Sequence, residues 1–113
     1  MDEENELGCF DATEPKEEPV DLLLKFDKPY VFEGETYTEL DLSALEQWNA
    51  DTICKCERAY RKAYPQSLVP LMETEYRLLA ARWATKKPIE FFKRMPPDLT
   101  YAVANVVLSF FGR

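Results

Sequence analysis

The chain has 113 residues, enough for one domain, and 46% of them are apolar and 13% aromatic, which supports a real but small core. Its formal net charge of −7 sits entirely in residues 1 to 20. There eight acids (Asp2, Glu3, Glu4, Glu6, Asp11, Glu14, Glu17, Glu18) face one base, Lys16, and the remainder balances at 13 acids and 13 bases. The folded part therefore lacks the basic footprint of a nucleic-acid binder or of a protein held on an anionic membrane, and neither partner is expected.

Residues 1 to 20 are poor in bulky apolar groups and rich in Glu, Asp and Pro. Such a segment cannot bury enough surface to offset its ordering entropy, so an acidic disordered tail is expected. Its role is either solubility or the shielding of a sticky surface. Met1 is followed by acids rather than a basic region, so no signal peptide is expected and a cytoplasmic location follows. Residues 21 to 112 are then one α+β domain, with β structure over 21–42 and helices over 43–112.

Leu22–Phe26, Pro29–Phe32 and Thr36–Leu40 read as strand segments, the last two joined by a tight hairpin at Gly34. They form a hairpin or three-stranded antiparallel sheet that needs helices, or a second copy, on one face. Ser43 with Glu46 three residues on has the pattern of a capping box. Asp51 is the expected N-cap of a helix over Thr52–Tyr64, with Ile53, Cys56, Tyr60, Ala63 and Tyr64 on its apolar side. Lys55, Arg58 and Lys62 line another side, which we read as a solvated face. The prolines Pro65 and Pro70 make 64–71 a loop.

Met72–Lys87 has apolar residues Met72, Tyr76, Leu79, Ala80 and Trp83 on one helix face. Pro88 begins a short helix over Ile89–Arg94, and a last helix over Asp98–Phe111 is to end at Gly112 as a left-handed cap. That gives four or five helices in all. The last one is apolar almost all round, interrupted only by Thr100, Asn105 and Ser109, so it must be covered on most sides by its own domain or by another chain.

The sequence offers no catalytic constellation. It has no histidine, no P-loop, and only three glycines, Gly8, Gly34 and Gly112. The carboxylate pairs Glu33/Glu35 and Glu73/Glu75 read as solvated charges. Three cysteines, Cys9, Cys54 and Cys56, have neither disulfide nor zinc spacing and read as free thiols, and a Cys54 nucleophile would lack a base. No enzyme activity, metal or cofactor is expected. What remains is apolar surface. Phe91, Phe92, Val107, Phe110 and Phe111 are either the core of a monomer or the interface to a partner or a second copy.

Two blocks in this order carry a family resemblance. One is Lys28–Ser43, with its Pro29-Tyr30-Val31-Phe32-Glu33-Gly34 hairpin. The other runs from Leu78-Leu79-Ala80-Ala81-Arg82 through Pro88-Ile89-Glu90-Phe91-Phe92 and Pro96-Pro97-Asp98 to Phe110-Phe111. Together they cover roughly residues 25 to 111, and in that order and spacing the chain resembles tail assembly chaperones of tailed phages and prophages. The resemblance implies a non-enzymatic protein that self-associates. It also implies binding of the long, helical, apolar tape measure protein, which is kept soluble while tail tube protein, a further possible partner, polymerises around it. Such a protein works in the host bacterial cytoplasm and is absent from the mature virion. A small binding adaptor with an acidic tail and a structural tail subunit are the competing readings.

Overall fold

A two-residue turn starts the fold. Glu33 (φ 51°) and Gly34 (φ 81°) both lie in the left-handed region, the requirement of the turn that matches the natural twist of a hairpin. It joins β1 (Leu23–Phe32) to β2 (Glu35–Asp41) in an antiparallel pair. The computed structural model describes residues 21 to 112; the expected acidic tail, residues 1–20, lies outside them. The two segments expected as separate strands, Leu22–Phe26 and Pro29–Phe32, form one strand with an irregularity between Lys25 and Tyr30. Five residue steps on β1 there oppose two on β2, from Glu39 to Tyr37. The odd excess changes which parity of β2 faces inward: Leu40 is buried on one side of the bulge and Tyr37 packs inward on the other. That is the device by which a bulge re-aims a strand, and simple alternation could not foresee it.

The helical half begins with a 3-10 turn, Ser43–Gln47, preceded by Leu42. The expected capping box at Ser43 is not formed. Asp41 does the capping instead, its Oδ1 accepting from the Ser43 backbone N–H at 2.9 Å. Helix α1 (Ala50–Ala63) is capped by Asn49, whose Oδ1 accepts from the Thr52 N–H at 3.0 Å, so Asp51 lies in the first turn and is not the cap. The connection to α2 holds a second 3-10 turn, Pro70–Met72. Helix α2 spans Thr74–Thr85, which leaves Met72 outside it and 61% exposed. Lys86 closes α2 in a left-handed conformation (φ 62°), its N–H bonded to the Arg82 carbonyl at 2.8 Å.

Pro88 is the N-cap of α3 (Ile89–Lys93), and Pro97 opens α4 (Pro97–Gly112) in the position its fixed φ favours. Gly112 is the last residue of α4, and among the described residues only Glu33, Gly34 and Lys86 have positive φ, so the expected left-handed glycine cap is absent. Four α-helices and a hairpin make the α+β architecture that the pattern predicted.

One core joins these pieces. Leu99, Val103 and Val107 form a buried stripe on α4, every fourth residue, and Ala80, Ala81 and Ala84 on α2 are buried with it. Small residues on one helix let the other approach closely and make α2–α4 the main helix pair. The hairpin adds Tyr30, Phe32 and Leu40, and the segment behind it adds Leu42 and Leu45. Phe91 is fully buried at the centre of an aromatic cluster. Its ring lies 5.1 Å from Tyr30, 5.4 Å from Phe32 and 5.0 Å from Tyr37, all edge to face. The Tyr30 hydroxyl donates to the Phe91 carbonyl at 2.7 Å, a buried bond that ties sheet to helix. Helix α4 is thus covered along one side only. Tyr101 stands 59% exposed, Asn105 and Ser109 are exposed, and Val106, Leu108, Phe110 and Phe111 are half-buried. No described helix is long and apolar enough to cross a membrane.

Candidate partner-binding groove

Helix α1 is the outlier of the fold. Only Cys56 and Tyr60 of its 14 residues are buried, and it packs chiefly on α2. Tyr60 meets the edge of Tyr76 at 5.5 Å and stacks near Tyr64 at 4.7 Å. Its hydroxyl donates to Glu73 Oε1 at 2.6 Å, while Ser67 donates to the other oxygen of the same carboxylate at 3.0 Å. Tyr64 donates to Glu75 Oε2 at 3.2 Å. These bonds pin the C-terminal end of α1 to the start of α2. Beside these bonds the C-terminal half of α1 leaves space, because Ala59 and Ala63, one turn apart, present only methyl groups.

The result is an open groove of about 540 Å³ between α1, α2 and α3. Its floor is Tyr60 and Phe92, both buried; Ala59 and Ala63 form one wall, and Leu78 and Leu79 the other. Trp83 and Ile89 line it further along, and Ile89 is 38% exposed. The charged groups on its rim are Glu75, Arg82 and Lys93. Glu75 already accepts from Tyr64, whereas the Arg82 and Lys93 side chains form no ion pair among the described residues. At Ala63 and Tyr64 the groove runs on into a second hollow lined by Pro65, Gln66, Ser67 and Glu73. The loop that follows exposes Leu68, Val69 and Met72, at 87%, 55% and 61%.

Burial pushes the Cys56 thiol up to about 11, so it stays protonated near neutrality. Burial chiefly, and then the Glu73 carboxylate, raises the Tyr60 hydroxyl; Glu75 raises that of Tyr64. Both remain hydrogen-bond donors at any physiological pH.

The residues expected as an interface divide. Phe91 and Val107 are fully buried within the chain, so of the two alternatives, core or interface, they are core. Phe92 is 4% exposed and belongs to the core too, yet one side of it floors the groove. Phe110 and Phe111 are half-buried, and Phe111 lies 5.7 Å from Trp48, which is itself 6.2 Å from Trp83. Sequence reasoning missed the groove because it placed Ala63 and Tyr64 on the buried side of α1. Both are exposed. The signal was present in Ala59 and Ala63, two small residues one turn apart on a helix otherwise crowded with long side chains. Compared with protein-family models, curated proteins and solved structures, the chain matches none.

Proposed function

We propose that this protein is a non-enzymatic tail assembly chaperone that binds an apolar helical region of a tape measure protein and keeps it soluble while tail tube protein assembles. The observation that carries the reading is the apolar groove between α1, α2 and α3, open to solvent. Grooves of this kind take amphipathic helices, whose side chains at three- and four-residue spacing enter as anchors. The resemblance of the hairpin and α2–α4 blocks to tail assembly chaperones supplies the identity of the partner. The half-buried aromatics Trp48 and Phe111, with ring centroids 5.7 Å apart, offer a separate apolar face for self-association.

Co-expression with the tape measure protein is the test. Its soluble recovery should rise with this protein present, and this protein should then be missing from purified particles. Unchanged recovery would leave the adaptor reading in its place. Retention in the particle would make it a structural tail subunit.

A further inference from the structure

Three surface features compete for a role beyond this reading. The recess between the bulge of β1 and the start of α4 holds about 280 Å³ and mixes Lys25, Asp27, Lys28 and Asp98 with no preponderance of one charge. The exposed trio Leu68, Val69 and Met72 is a convex loop patch whose occupant nothing nearby specifies. The groove between α1, α2 and α3 is different, because its rim has a sign.

Glu75 keeps its charge while accepting from Tyr64 at one end of the groove, and Arg82 and Lys93, which form no ion pair among the described residues, outnumber it on the rim. Both are on the α2 and α3 side of the trough, so the cations that line it stand opposite the apolar α1 wall of Ala59 and Ala63. Between Glu75 and Trp83 the trough follows α2 for eight residues, about 12 Å at 1.5 Å per residue, which is two turns of an opposing helix. Two turns present two or three anchor side chains on one face.

We propose that the groove selects a helical segment with an apolar stripe flanked by acidic residues, the apolar side chains seated on Tyr60 and Phe92 and the carboxylates against Arg82 and Lys93. This rests on the reading that the protein binds a helical partner, and adds to it the place and the charge rule. The apolar trough supplies most of the affinity and the cationic rim supplies orientation and preference, the usual division between buried and peripheral contacts. A helix with the same stripe but lysine flanks meets like charge and is disfavoured.

The chain has two tryptophans, so Trp48→Phe in the full chain leaves Trp83, at the groove, as the single reporter. The probes are synthetic helical peptides with one leucine stripe and either glutamate or lysine flanks. Trp83 emission should shift on titration with the glutamate peptide, and the lysine peptide should bind about tenfold more weakly. Arg82→Glu with Lys93→Glu should invert that preference. Ala63→Phe, at an exposed position, should abolish the shift while circular dichroism and the unfolding midpoint stay as they were. Equal binding of the two peptides, or undiminished binding to the folded Ala63→Phe variant, would overturn the proposal. So would displacement of the probe by a free peptide of residues 1 to 20, which would give the groove to this chain's own acidic segment. Tape measure protein solubilised equally by wild type and Ala63→Phe would remove the groove and leave the chaperone function intact. Selective peptide binding without any such solubilisation would do the reverse.

Discussion

At the scale of single residues, backbone conformation is where this chain departs most from its own preferences. Glu33 and Lys86 hold left-handed conformations that cost a non-glycine residue about 1 kcal/mol or more. Asparagine tolerates that region better, and Asn-Gly is the favoured pair for such a hairpin. Glu33→Asn should therefore raise stability by about 0.5–1 kcal/mol, read as a higher midpoint in urea. Gly34→Ala should lower it by about 1 kcal/mol through backbone strain alone, since an added methyl group there meets no atom within 4 Å. The Asp41 carboxylate is held below its usual range by the Ser43 N–H. A depressed folded-state pKa means that its stabilisation is present above the unfolded value, about 4, and is lost as pH falls through the folded one. In a series of urea melts between pH 6 and pH 2, Asp41→Asn should show a shallower acid loss than wild type, because the amide oxygen keeps the cap without titrating.

At the scale of elements, what was readable in advance is what depends on neighbours in sequence. The Gly34 turn, the proline stops before α3 and α4, and the helical spacing of Tyr76, Ala80 and Trp83 are local facts, and each element stands where that chemistry puts it. Caps were less legible. Asn49 and Asp51 are both good caps, and the choice of Asn49 needs its extended backbone (φ −123°, ψ −177°), which composition alone does not specify. The covered side of α4 was not legible at all, since a helix apolar all round carries no mark of which face α2 will take. For the same reason Val107 could be read as core or interface, and it is core. Helix α1 depends on few contacts, chief among them the bond from Tyr60 to Glu73. Tyr60→Phe should cost about 1.5–3 kcal/mol, as loss of a hydrogen bond to a charged partner does. Amide exchange in α1 should be the fastest of the three long helices and should quicken most in that variant.

At the scale of the whole molecule, the decisive property is where apolar surface is left uncovered. The hairpin, α2, α3 and α4 share one core to which α1 adds Cys56 and Tyr60, and beside that contact Ala59 and Ala63 leave a trough. On the proposed reading, blocking a groove kept open by small residues should remove function without harming the fold. Phe92→Asp is the contrasting change. It places a carboxylate in the core beneath the groove and should unfold the protein, because burying an unpaired charge costs many kcal/mol. The measurement that bears most directly on the chaperone reading is soluble recovery of the tape measure protein co-expressed with wild type and with Ala63→Phe. Wild type should raise the recovery and the folded Ala63→Phe variant should not. Recovery that wild type fails to raise would contradict it.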